Sequence, residues 1–312
     1  MRHIKEYNQL FESEQELTQE LTQEQKDWLD KCVFGKWWVN PQTGLVDVDM
    51  SFQCSGQGPG FNGVRFGHIR KNFICSESRL SSLDGAPQSV GGDFSCSYNT
   101  LTSLEGAPQS VGGNFICSYN SLTSLEGAPQ RVGRNFYCSN NSLTSLDGAP
   151  QSVGESFSCN FNSLTTLEGG PKEVGGNFNC AGNSLTSLVG APQRVGGDFN
   201  CENNQLSSLE GGPKEVGMYF NCAGNSLTSL VGAPQRVGGD FYFINNPISD
   251  AIASGVLKRM RGRKISLEQA VSELWSEIPE EDKIYLAKHN SDLSPQEKRG
   301  YEALERMKTR II

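Results

Sequence analysis

The 312-residue chain carries 27 Lys and Arg against 35 Asp and Glu, a formal net charge of -8. Affinity for nucleic acid or for an anionic membrane comes from clustered cations, so neither is expected as a general property. No run of about eighteen apolar residues occurs, and MRHIKEYNQLFESEQELTQE lacks the apolar centre and cleavage site of a secretory signal; a soluble, cytoplasmic protein is expected.

In chain order, residues 14 to 32, EQELTQELTQEQKDWLDKC, are rich in helix formers. They place Leu17, Leu21, Trp28 and Leu29 at spacings that suit one buried face. The following WWVNPQTGLVDVD reads as strand, turn, strand, with Asn-Pro and Thr-Gly as turn chemistry. Residues 1–50 are therefore expected to form an N-terminal cap.

From residue 51 a 21-residue period takes over, and nine of the ten cysteines, Cys54 to Cys222, fall at that interval. An odd column of thiols cannot pair completely, and stacked parallel Cβ vectors give the wrong dihedral for a relaxed disulfide. They are expected as small buried hydrophobes. Phe stands two places before each of these Cys, from Phe52 to Phe220, and Phe241 continues the series where Phe243 replaces Cys. Phe-x-Cys predicts a short strand with both side chains turned inward. Leu recurs five and eight places after Cys, as at Leu101 and Leu104, and faces the core as well. Asn recurs three places after Cys, from Asn99 to Asn246. In register, those carboxamides form a ladder that pairs the backbone groups of a buried turn. Gly106, Pro108, Gly112 and their counterparts mark a return path that is extended and not helical. One unit buries too little apolar surface to offset the ordering of 21 residues, so units must stack into a solenoid. The first unit, Phe52 to Lys71, is degenerate, with Pro59 and Asn62 in the two Leu places.

After Asn246-Pro247 the rhythm stops, and ISDAIASGVLKRM, ISLEQAVSELWSEI and SPQEKRGYEALERMK read as three helices. Ser266 with Gln269, and Ser294 with Pro295 and Glu297, are helix start signals. The expected organisation is thus a cap over 1–50, a solenoid over 51–248 and a helical cap over 249–312, the ends covering the open sheet edges.

The unit FSCSYNTLTSL and its copies resemble the leucine-rich-repeat family, whose signature is alternating apolar strand positions followed by x-x-Asn-x-Leu-x-x-Leu. The wording LTSLEGAP and VGGDF, and the flank GKWWVNPQTGLVDVD, is similar to repeat proteins of large tailed bacteriophages. The resemblance implies an α/β leucine-rich-repeat solenoid: a curved parallel β-sheet with an extended, non-helical convex side and helical caps at both ends. It also implies a concave face that binds other proteins.

Catalytic chemistry has little foothold. GPGFNG at 58–63 matches the phosphate-cradling Gly pattern, yet no strand precedes it and no helix follows. His3, His68 and His289 are scattered, which gives no support to a His metal site or a nucleophile–His pair. Nothing after Cys222 is cysteine, so the catalytic-Cys ligase domain that some bacterial effectors join to similar repeats is not expected. No enzyme activity, cofactor or metal is expected. KRMRGRK at 258–264 is the candidate nucleic-acid contact, and its plainer reading is a helix C-terminus complementing the dipole. The column Asp84, Glu105, Glu126, Asp147, Glu168 and Glu210 reads as a solvated rim.

Outward positions differ along the chain. One place before Cys stand Ile74, Ser95, Ile116, Tyr137 and Ser158, then Asn179, Asn200 and Asn221. Two places after it stand Glu77, Tyr98, Tyr119, Asn140 and Phe161, then Gly182, Asn203 and Gly224. Exposed aromatic and aliphatic clusters are what binding hot spots are made of. Ile74, Tyr98, Ile116, Tyr119, Tyr137 and Phe161 are thus the candidate partner-binding residues. The expected function is a non-enzymatic scaffold that holds a protein partner, for a phage protein a host defence factor. The rivals are a virion or assembly component and a nucleic-acid accessory using 258–264.

Overall fold

A computed structural model describes residues 20–56, 58–228 and 230–247. The chain divides into two compact units, residues 1–143 with 147–155, and residues 144–146 with 156–312. Within each unit the described chain is a parallel β-solenoid of 21-residue turns, each carrying two strands, which beyond the first turn are two residues long. The helices expected over 249–312, the basic 258–264 segment and Leu17 lie outside the described residues.

The first unit opens with helix α1 (Gln23–Cys32). Thr22 caps it and Gln25 completes a capping box, which satisfies two amides the first turn would leave unpaired. Leu29 and Cys32 are buried beneath it, and Trp28 packs on Phe52 and Phe66 at centroid distances of 5.3 and 6.4 Å. Val33–Phe34 pairs antiparallel with Ser51–Gln53, and the hairpin Trp37–Val39/Val46–Val48 supplies the expected strand, turn, strand. One arm thus covers the first edge of each ladder.

Beyond the cap, the Phe strands Phe73–Ile74, Phe94–Ser95, Phe115–Ile116 and Phe136–Tyr137 pair in parallel with Phe opposite Phe. The second unit repeats this with Phe157–Ser158, Phe178–Asn179, Phe199–Asn200, Phe220–Asn221 and Phe241–Tyr242. The rings stack at 5.4 Å between Phe94 and Phe115 and 5.3 Å between Phe178 and Phe199, forming the spine of each core with the paired Leu columns.

The return path is extended, as its Gly and Pro content requires, and it also builds a second parallel ladder. Ser89–Val90, Ser110–Val111 and Arg131–Val132 pair in the first unit, and Glu173–Val174, Arg194–Val195, Glu215–Val216 and Arg236–Val237 in the second. Val faces the core, and the glycine after it lets adjacent turns close. A Cβ on Gly112 would collide with the carbonyl oxygen of Gly91.

The carboxamide ladder is present. Asn99 Nδ2 donates to the carbonyls of Cys75 one turn earlier (3.0 Å) and Cys96 in its own turn (2.9 Å), while its Oδ1 accepts from Leu80 N at 2.9 Å. Asn120 and Asn204 repeat the pattern in the first and second units. All ten cysteines are free and buried. Burial raises the pKa values of the column thiols from Cys54 to Cys117 and from Cys159 to Cys222, to about 12 for Cys96, so these thiols stay protonated. Several donate across turns, such as Cys75 Sγ to Ser95 O at 3.3 Å. Cys32, outside the 21-residue interval, lies close enough to Cys54 for its ionisation to oppose that of Cys54, and so extends the column into the cap.

In the degenerate first turn Phe61 and Val64 take over the core places, with Phe61 buried against Phe73 at 5.5 Å. Gly58, Gly60 and Gly63 all have positive φ. GPGFNG is therefore a turn that delivers one aromatic ring to the core.

Candidate functional site

The six candidate residues fall at two structurally different positions. Ile74, Ile116 and Tyr137 end the Phe strands and are half-buried on the outward face; Ser95, between the two Ile, is buried and bonded to Ser76 Oγ at 2.8 Å. Tyr98, Tyr119 and Phe161 do not continue the strand alternation, because the strand stops one residue before Cys. They occupy a corner where the backbone turns through the left-handed region, with φ of 56°, 58° and 55°.

That corner recurs in every turn. It is occupied by Gly56, Glu77, Tyr98, Tyr119 and Asn140 in the first unit, and by Phe161, Gly182, Asn203, Gly224 and Asn245 in the second. Gly and Asn are the residues that tolerate it. A Cβ-bearing side chain of another type there costs about 1–2 kcal/mol. Glu77, Tyr98 and Tyr119 therefore carry a conformational penalty that Asn203 and Gly224 avoid.

Tyr98 and Tyr119 are exposed by 54% and 46%, and their rings stack at 4.3 Å with an interplanar angle of 7°. The phenol of Tyr98 is raised above its ordinary pKa by desolvation, then by Tyr119 and the Glu77 carboxylate. Beside it, Ser97 Oγ is buried without a hydrogen-bond partner. The first unit thus brings together Ile116, Tyr119, Tyr98 and Ile74 on adjacent turns, with Tyr137 on the next strand. Phe161 belongs to the second unit, where it is 58% exposed and its ring lies over Gly182.

A second side-chain ladder, which the sequence reading missed, runs three places before Cys. Asn72 Oδ1 accepts from Asp93 N at 2.9 Å, Asp93 Oδ1 from Asn114 N at 2.8 Å, and Asn114 Oδ1 from Asn135 N at 3.2 Å. In the second unit, Ser156, Asn177 and Asp198 do the same for Asn177, Asp198 and Tyr219. The sequence signal was the recurring Asp, Asn or Ser before Phe in VGGDF and VGGNF.

Asp84, Glu105 and Glu126 are exposed. His68 Nδ1 lies 2.8 Å from Ser89 Oγ, and the nearby buried carboxylate of Asp47 bonds the His68 backbone amide and Asn40, not the imidazole. That pair lacks the oriented base of a hydrolase. Among the described residues no helix is long and apolar enough to cross a membrane, and no group of three His, Cys, Asp or Glu side chains is placed to hold a metal ion. No protein-family model matches the chain, and no curated protein is significantly similar to it.

Proposed function

We propose that this protein is a non-enzymatic recognition scaffold of leucine-rich-repeat type. It holds a protein partner against the outward face of the Phe ladder in its first unit, with Tyr98 and Tyr119 as anchors. The carrying observation is the stacked, exposed Tyr98/Tyr119 pair held at left-handed corners that Asn140, Gly182, Asn203, Gly224 and Asn245 fill in other turns. Folding alone favours Asn or Gly there, and rigid aromatics at an exposed site are the residues that dominate binding energy. Ile74, Ile116 and Tyr137 extend the apolar floor beside them, and Phe161 offers a further exposed ring in the second unit. The buried, protonated thiols leave Cys no nucleophilic role, in keeping with a binding protein. In keeping with the phage-like wording of the repeats, the proposed setting is host cytoplasm and the proposed partner a host protein blocked by occlusion.

The test is capture from host lysate with the intact chain and with a Tyr98→Asn/Tyr119→Asn double variant of matched stability. A specific protein retained by the first and lost by the second is expected. Identical capture by both, or none by either, contradicts the proposal.

A further inference from the structure

The second unit carries a different surface at the same strand positions. Asn179, Asn200 and Asn221 stand side by side on parallel strands, in register and about 4.8 Å apart. Each carbonyl is committed to the backbone two residues on: Ala181 N donates to Asn179 Oδ1 at 3.1 Å, Glu202 N to Asn200 Oδ1 at 2.9 Å, and Ala223 N to Asn221 Oδ1 at 3.0 Å. Those bonds fix the amide planes and turn the NH2 groups away from the backbone they cap. Asn221 Nδ2 donates to Glu202 Oε2 at 3.0 Å, whereas the Nδ2 groups of Asn179 and Asn200 donate to no described residue.

Around these donors lie acceptors and one apolar platform. Asp198 borders the depression and Glu202 reaches it through Asn221. Tyr219 and Tyr242 flank one end with ring centroids 5.9 Å apart, tilted by 41°. The depression holds about 220 Å³, below the roughly 300 Å³ at which drug-sized pockets begin.

The ligand chemistry follows by matching. A ligand must accept from the Asn amides and donate to the carboxylates within a few ångströms; a hydroxyl does both. Phosphate, sulfate or nucleic acid would meet Asp198 and Glu202 with no cation lining the site to offset them. A cation would leave the amide donors unpaired. A peptide finds no side-chain pocket in so shallow a floor. Vicinal hydroxyls on a ring whose C–H face can lie on Tyr219 satisfy every element present. We propose that this depression is a binding site for a neutral saccharide of one or two rings, with Asn179, Asn200 and Asp198 reading the hydroxyls and Tyr219 and Tyr242 supplying the platform.

The experiment is saturation-transfer NMR on the full chain with cellobiose, chitobiose, maltose and lactose, with inorganic phosphate as competitor. At least one disaccharide is expected to receive saturation. Asn200→Leu should weaken it about tenfold, Tyr219→Ala should do likewise, and Tyr98→Asn/Tyr119→Asn should leave it unchanged. Tyr219 is exposed, so its variant remains informative should Asn200→Leu disturb the turn. Absence of transfer to all four sugars overturns the proposal, as does binding that survives both substitutions or is displaced by phosphate.

Discussion

The corner residues of turns 77 to 140 and those of turns 182 to 245 adopt the same left-handed backbone, yet the first set reads Glu, Tyr, Tyr, Asn and the second Gly, Asn, Gly, Asn. The backbone demand is constant, so the difference measures what each region is asked to do beyond folding. The later turns obey the demand. The earlier ones place a pair of exposed, stacked rings where conformational preference opposes them. The strand-end positions diverge in the same sense, Ile74, Ile116 and Tyr137 against Asn179, Asn200 and Asn221. One architecture carries an apolar face in one region and an amide face in the other.

The comparison holds only if the interior is common to both regions, and the largest effects should show that. Burial lifts the thiol pKa values from 9.0 to about 12 at Cys54 and Cys96. Above pH 9 the unfolded chain releases thiol protons that the folded chain keeps. The stability is therefore complete below that pH and is lost as pH climbs toward 12, by about 1.4 kcal/mol per thiol per pH unit. Denaturant titrations at increasing pH should show one steep loss in which both regions unfold; a flat profile would mean the thiols are accessible. Next in size, Asn120→Ala and Asn204→Ala each remove the donors to two buried carbonyls and the acceptor of a Leu amide. Each should cost about 3 kcal/mol, and a large inequality between the two would break the premise of a shared interior. Gly112→Ala drives a methyl into the Gly91 carbonyl and should cost about 2 kcal/mol by chemical denaturation. Smallest is the reciprocal swap at the corner: Asn203→Tyr should destabilise by about 1 kcal/mol and Glu77→Gly should not destabilise at all. Equal losses from both would show that the corner does not discriminate.

Much of this interior was legible in the sequence because its residues repeat with one meaning each: Phe, Cys and Leu face inward, and Asn99 to Asn246 pair the turn from inside. The Ser-Val ladder was not, because a two-residue strand bounded by Pro-Gln and Gly-Gly is too short to alternate. Treating Tyr98 and Tyr119 as strand positions followed from extending Phe-x-Cys by two more residues. The recurrence of Gly182, Asn203, Gly224 and Asn245 at that place was the available sign of a left-handed turn. In the degenerate first turn, Phe61 and Val64 replace the Leu pair at shifted positions, which a fixed period cannot reveal.

The claim that Tyr98 and Tyr119 serve recognition and not folding is tested most directly by the stability of the Tyr98→Asn/Tyr119→Asn double variant. Relief at two left-handed corners should outweigh the loss of one exposed ring stack. The variant should therefore be as stable to denaturant as the parent or more stable, by about 1 kcal/mol at most. A loss of about 2 kcal/mol or more would show that the paired rings hold the solenoid together, and would contradict the account.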